Sequence, residues 1–259
     1  VEVSEPSTRP TALVTGASRG IGRAIAINLS SQFNLVLTGR DTAALEETKS
    51  QCETHEDSEI SCVACDMKDP KQRQALCDLI VQRAVVVLVN NAGIAPSAPL
   101  ERTDDQSWAD VMEVNVTAPF EFTRASLGAM KTRGWGRVVN IASTAALQGY
   151  RYTAAYCASK HALLGMTRGL ALDVARRGIT VNAVCPGFTD TPMAARAIEN
   201  ISGKTGRDAT EARGELERLN PQGRLVAPSE IAAMVAYLCS EAASGINGQA
   251  LAVDGGETA

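Results

Sequence analysis

The sequence predicts an α/β protein built on a doubly wound parallel sheet of about seven strands, with helices on both faces. Three observations lead there. Short apolar runs alternate with stretches of helical apolar spacing from residue 11 to residue 253, the pattern of successive β-α-β units. One run, Val85 to Val89, is apolar at every position, as expected of a strand covered on both faces. The residues that close these runs, among them a glycine cluster, Asp66 and Asn90, fall at the carboxyl ends of the strands, the side of such a sheet that binds ligands.

The bulk properties fit one globular unit. A chain of 259 residues, 45% hydrophobic, can bury a large core. No repeat, linker or low-complexity tract divides it, so 1–259 is read as one domain with an N-terminal extension over 1–10 and a candidate substrate lid over 189–220. A formal charge of −4 without a basic tract speaks against nucleic-acid binding. The polar, proline-bearing N-terminus is unlike a signal peptide, and no apolar run approaches the ~20 residues that span a bilayer; a soluble, cytoplasmic protein is expected. Seven scattered cysteines are read as reduced thiols. Cys62 and Cys65 form a C-x-x-C, but on a strand residues three apart face opposite sides and do not pair. With only His55 and His161, both read as surface or helix residues, no metal site is expected.

The first strand, residues 11–15, runs into Gly16-Ala-Ser-Arg-Gly-Ile-Gly22 and then a helix. Glycines there let the backbone approach a pyrophosphate, and the helix start favours its charge; a tight turn without a ligand is the alternative. The second strand, 34–38, ends at Gly39-Arg40-Asp41. An arginine at this point accommodates a 2′-phosphate and an acid binds ribose hydroxyls, so Arg40 and Arg19 argue for NADPH. Asp41 is either that acid or a helix cap, and solvated arginines would leave NADH open.

The third strand, 60–64, is followed by Asp66, an adenine contact or a turn cap, and the helix over 70–83 leads to the fourth strand, which ends in Asn90-Asn91-Ala92-Gly93. A helical stretch over 104–131 carries Asn115 among apolar neighbours, where a helix-to-strand hydrogen bond is the simplest explanation. The fifth strand, 137–141, delivers Ser143, and a helix over 152–177 carries Tyr156 and Lys160. At i,i+4 a phenol and an ammonium share one helix face, and a nearby cation lowers a phenol's pKa; the alternative is a half-buried tyrosine above a solvated lysine. A sixth strand over 180–184 ends at Cys185-Pro186-Gly187-Phe188, a helix covers 228–240 and 250–253 closes the sheet.

T-G-A-S-R-G-I-G, N-N-A-G, Asn115, Ser143, Y-C-A-S-K, C-P-G-F and V-D-G-G, in this order along nearly the whole chain, resemble the short-chain dehydrogenase/reductase family, which has a Rossmann-type sheet. The resemblance implies that Tyr156 is the acid/base on the substrate oxygen and Ser143 the donor holding the carbonyl. Lys160 would bind the nicotinamide ribose and lower the tyrosine's pKa, and Asn115 would hold a water in a relay to solvent. It implies that Gly16, Ser18, Arg19, Gly20 and Ile21 cradle the cofactor, with Ala92 and Gly93 beside them. Asp66 would contact adenine, Asn90 would lie beside the adenosine ribose, and Pro186, Gly187, Thr189 and Thr191 would cover the nicotinamide.

The fourth strand departs from the family in lacking the aspartate of D-x-L-V-N-N-A-G, and the preceding helix and turn look a few residues short. The stretch from Cys185 resembles polyketide and β-ketoacyl reductases, and the stretch 221–256 also resembles hydroxybutyrate dehydrogenases. The latter grip a free carboxylate with polar side chains, where Ala95, Ala145 and Thr153 stand here, so a free keto acid fits poorly. Ala145, Leu147, Tyr150, Phe188 and Met193 would line an apolar pocket or belong to the core. The leading expectation is NADPH-dependent reduction of a β-ketoacyl thioester, carried on CoA or a carrier protein. The alternatives are an alcohol, steroid or xenobiotic carbonyl oxidoreductase using NADP(H) or NAD(H), and a non-catalytic nucleotide-binding protein. A homo-oligomer, tetramer or dimer, with contact faces on 104–131 and 152–177 completes the expectation.

Overall fold

Strands β1 (Thr11–Thr15), β2 (Asn34–Gly39), β3 (Ile60–Ala64), β4 (Val87–Asn90), β5 (Gly136–Ile141), β6 (Ile179–Pro186) and β7 (Ala250–Val253) lie side by side in the order β3-β2-β1-β4-β5-β6-β7. Every neighbouring pair is parallel. The computed structural model describes residues 9–53 and 58–259, so His55 and most of the N-terminal extension lie outside the described residues. The chain winds outward from β1 to β3, then returns to set β4 on the other side of β1. That reversal opens a crevice at the carboxyl ends of β1 and β4.

The period of two along each strand divides the core. Ala12 and Val14 of β1, Val87 and Val89 of β4 and Val139 of β5 face one layer, with Ile25, Leu29, Val235 and Leu238. These four come from α1 (Gly20–Leu29) and α9 (Pro228–Cys239). Leu13, Leu88 and Val138 face the other layer, with Leu76, Ile80, Phe122, Met130 and Val174, from α3 (Pro70–Gln82), α5 (Ala118–Arg133) and α6 (Ala154–Val174). Strands apolar on both faces therefore have no solvent side to choose. Asp41 caps α2 (Thr42–Ser50) by accepting the Ala44 N–H, and Asp69 caps α3 with Pro70 at its first position.

Several boundaries depart from the sequence expectation for physical reasons. The stretch 104–131 is not one helix: α4 (Asp105–Met112) passes through a π segment, Glu113–Thr117, before α5. Pro119 has no N–H for the Asn115 carbonyl four residues back, and its ring crowds that carbonyl, which favours a widened turn. The short approach to β4 is made by Ala84 at φ +46. Strand β6 runs on to Pro186, because Cys185 and Pro186 keep register with Ala252 and Val253. The weakly helical stretch 189–220 forms α7 (Pro192–Thr205) and α8 (Ala209–Glu217), joined by an apolar cluster of Ala194, Leu216 and Leu225. All seven cysteines are free, and His161 is exposed on α6.

Gly178, at φ +69 before β6, sits where an added Cβ would overlap the Gly134 carbonyl oxygen. Gly178→Ala is expected to lower unfolding free energy by about 2 kcal/mol or more. Urea denaturation checks this; an unchanged midpoint would contradict the packing of that turn.

Candidate active site

The crevice is built first by backbone. Gly16 and Gly20 hold φ near +66 and +56, and a Cβ on Gly22 would overlap the Gly16 carbonyl oxygen. Only glycine lets this turn fold so tightly against α1. The Thr15 hydroxyl accepts the N–H groups of Asn91 and Ala92, both at 2.9 Å. The Asn91 amide donates to the carbonyls of Thr15 at 2.8 Å and Gly16 at 3.2 Å. The glycine turn and the loop after β4 are thereby braced across the switch point.

The brace runs through Asn91. Asn90, expected beside the adenosine ribose, has a buried side chain that donates to Asn140 Oδ1 at 2.8 Å and Thr123 Oγ1 at 3.3 Å. Strand alternation turns that side chain into the α5 layer and leaves the Asn90 backbone at the end of β4. Asn91 carried a readable signal, as the second residue of N-N-A-G.

At the start of α1, Arg19 occupies the N-cap position without a side-chain cap bond, which leaves first-turn amides available to an anion. The Arg19 and Arg40 side chains are exposed and make no hydrogen bond or ion pair with the described residues. Asp41 is committed to its cap, and Asp66 Oδ1 accepts the Lys68 N–H at 3.0 Å, a turn cap. The loop after β6 closes over this turn: the Thr191 methyl lies 3.2 Å from where a Gly20 Cβ would stand. Thr191 also caps α7, and the Thr189 hydroxyl donates to the Gly187 carbonyl at 2.9 Å.

The proton-active groups converge at the ends of β5 and β6. Ser143 begins a 3-10 turn, Thr144–Ala146, its Oγ accepting the Ala145 N–H at 3.1 Å. Tyr156 is half-buried; burial pushes its phenol pKa up, and a polar contact with Ser143 works the other way. Lys160 is 4% exposed, donates to the Ile141 carbonyl at 2.8 Å and lies 5.7 Å from the Tyr156 ring centroid. Burial lowers its pKa to about 8, because an ammonium without a paired acid loses hydration. Asn115 is fully buried and spends its side chain on three bonds at 2.9 Å: from the Ile94 N–H, to the Ile94 carbonyl and to Ser159 Oγ. It ties the loop after β4 to α6 one residue before Lys160.

Comparison with known proteins agrees with this geometry. A family model described as enoyl-(acyl carrier protein) reductase matches residues 16–258. The granaticin polyketide synthase putative ketoacyl reductase 1 of Streptomyces violaceoruber is 41% identical over 96% of this chain and 93% of its own. The 3-oxoacyl-(acyl-carrier-protein) reductase FabG of Vibrio cholerae is 37% identical over 95% of this chain and 96% of its own. Among solved structures, a variant actinorhodin polyketide ketoreductase with NADPH superposes at a TM-score of 0.90, with 40% identity over 97% of this chain and 98% of that one. The chain belongs to the short-chain dehydrogenase/reductase family.

As a short-chain oxidoreductase it has residues that fit a dinucleotide cofactor. The glycine turn admits a pyrophosphate, the α1 amides face it uncapped, and two N–H directions of Lys160 have no protein partner among the described residues. The expected substrate wall is brought together only in part. Leu147 and Met193 are 37% and 42% exposed, and Tyr150 and Phe188 meet edge-to-face with centroids 6.1 Å apart. Ala145, at 2% exposed, takes the core alternative: the 3-10 turn folds it inward, leaving it little surface for a ligand. The sequence reading missed Ser159, for which S-K offered a signal, and Glu257, discussed below.

Asn115→Ala would orphan the Ile94 N–H and carbonyl in a buried setting. The expected cost is about 2 kcal/mol or more of unfolding free energy, read by urea denaturation; a loss under about 0.5 kcal/mol would show that these bonds are replaced by solvent.

Proposed function

We propose that this enzyme uses NADPH to reduce a ketone, foremost a β-ketoacyl thioester on CoA or a carrier protein, to a secondary alcohol. The observation that carries this reading is the meeting of Ser143, Tyr156 and buried Lys160 at the mouth of a glycine-lined switch point. The ketoacyl reductase names of its relatives and the NADPH of its structural neighbour support it. Unpaired Arg19 and Arg40 support a cofactor bearing a 2′-phosphate.

NADPH, when bound, supplies the hydride. Tyr156 supplies the proton: burial keeps the phenol protonated at neutral pH, the form that can donate to an alkoxide oxygen. Ser143 donates to the same oxygen, where charge grows in the transition state. Lys160, charged below about pH 8, stabilises the phenolate left behind. The sequence leads one to expect that Lys160 lowers the tyrosine's pKa; burial is the main influence and raises it, Ser143 is the group that lowers it, and Lys160 Nζ is held at the Ile141 carbonyl. Both Asn115 side-chain N–H groups are used and its oxygen already accepts the Ile94 N–H; its backbone carbonyl, which Pro119 deprives of an α-helical donor, is where a relay water would bind. Exposed Trp108, Phe120 and Leu172 on α4, α5 and α6 support a homo-oligomer, dimer or tetramer, through those helices. Seven free thiols support a reducing, cytoplasmic setting.

The test follows NADPH and NADH absorbance with acetoacetyl thioesters, cyclic ketones and steroids. Acetoacetyl thioester with NADPH is expected to turn over fastest, and Tyr156→Phe to lose at least about 100-fold in kcat while binding NADPH within about twofold. No turnover with any carbonyl, despite cofactor binding, would overturn the reading. A pH profile gives a second check. Lys160 is cationic below its lowered pKa, so kcat/KM for NADPH, which reports the free enzyme, should be level below pH 8 and fall above it. A level profile to pH 10 would contradict that role.

A further inference from the structure

The C-terminal turn puts a carboxylate against Tyr150 and the loop after β6. After β7, Gly255 and Gly256 adopt φ +67 and +96, and Asp254 fixes the turn by accepting the Gly256 N–H at 2.9 Å, the Thr258 N–H at 3.0 Å and the Thr258 hydroxyl at 2.6 Å. Glu257 is thereby aimed back at the loop after β6. Its Oε1 accepts a hydrogen bond from the Tyr150 hydroxyl. The phenol has one proton, so with Glu257 as acceptor it must receive from Thr144 Oγ1 at 2.7 Å and from the Gln148 amide at 2.8 Å. Thr144 follows Ser143 directly, and Tyr150 packs edge-to-face on Phe188. Glu257 is therefore linked through one side chain, Tyr150, to Thr144, the residue beside the carbonyl donor.

Its second oxygen, Oε2, is buried without a hydrogen-bond partner and lies 2.8 Å from where a Gly187 Cβ would stand. Any side chain at 187 would displace it, so that glycine has a use beyond the turn. No ion pair reaches Glu257 among the described residues. Burial pushes its pKa up and the charge of Asp254 adds to the rise, while hydrogen bonding to Tyr150 and to the Phe188 backbone lowers it. A negative group that is hydrogen-bonded but has no cation beside it repels a second one brought close to it.

We propose that Glu257 is a specificity-determining residue that excludes carboxylate-bearing ketones from the cleft and admits neutral esters and thioesters. This rests on the ketone-reductase reading and deepens it: the site rejects a free keto acid actively, beyond merely lacking a cation to hold one. Glu257 does not act on the reacting carbonyl. It works by its charge, and it positions Tyr150.

The experiment compares acetoacetate with its neutral ethyl ester in the wild type, Glu257→Gln and Glu257→Asp. Two readouts are taken: kcat/KM with NADPH, and dissociation constants from saturation-transfer NMR titrations without turnover. The wild type is expected to favour the ester by at least about tenfold. Glu257→Gln, which keeps an acceptor for Tyr150 but no charge, should reduce that ratio about tenfold in both readouts. Glu257→Asp, which keeps the charge but shortens the reach to Tyr150, should retain most of it. A wild type that uses acid and ester equally would overturn the proposal without recourse to any variant. So would a folded Glu257→Gln protein whose ratio stays within twofold of the wild type. Absence of turnover with both ligands would count against the β-ketoacyl form of the reductase reading, and the NMR ratio would still decide the role of Glu257; failure of both ligands to bind any form would count against that role.

Discussion

Asn115 holds the site together by engaging both N–H groups and the oxygen of a short side chain inside the protein. Its oxygen takes the Ile94 N–H and its nitrogen gives to the Ile94 carbonyl and Ser159. Three segments distant in sequence, the loop after β4, the π segment and the start of α6, are fixed to one another by one amide. A buried amide with all three partners in place is stable only while all three remain. Lys160 follows Ser159 by one residue, so its approach to the Ile141 carbonyl is set by the same clamp. Gly93 lets the loop pass: a Cβ there would come within 3.3 Å of the Asn115 oxygen and 3.6 Å of Lys160 Nζ.

On this frame burial has opposite effects on two neighbouring groups. It favours the protonated phenol of Tyr156 and the neutral amine of Lys160. A protonated phenol can donate a proton, and an ammonium with a pKa near 8 is still mostly charged at neutral pH. In the proposed reaction these are the states that donation in the reductive direction requires. Glu257 extends the same economy of charge to the far wall, where a carboxylate without a cation shapes what can enter.

Much of this could be read from residues alone, and the exceptions have physical causes. Seven strands, their order of appearance and the positions of Ser143, Tyr156 and Lys160 followed from apolar runs closed by short polar motifs, because both faces of a parallel sheet are buried and its chemistry sits at one edge. The break in the helix over 104–131 was signalled by Pro119 four residues after Asn115, but local spacing alone hid it. Asn90 and Asn91 could not be told apart without strand alternation in register. Glu257 was illegible: its partner Tyr150 is 107 residues away, and only the two left-handed glycines bring them together. The shift of Tyr156 depended on burial, which no motif reports.

The most direct test is a crystal structure of the protein with NADP+. The account predicts the pyrophosphate against Gly16 to Gly22 and the α1 amides, the 2′-phosphate against Arg19 or Arg40, and the nicotinamide ribose within hydrogen-bonding distance of Lys160 Nζ. A cofactor whose nicotinamide end lies away from Lys160 and Tyr156, or whose pyrophosphate avoids the glycine turn, would contradict it.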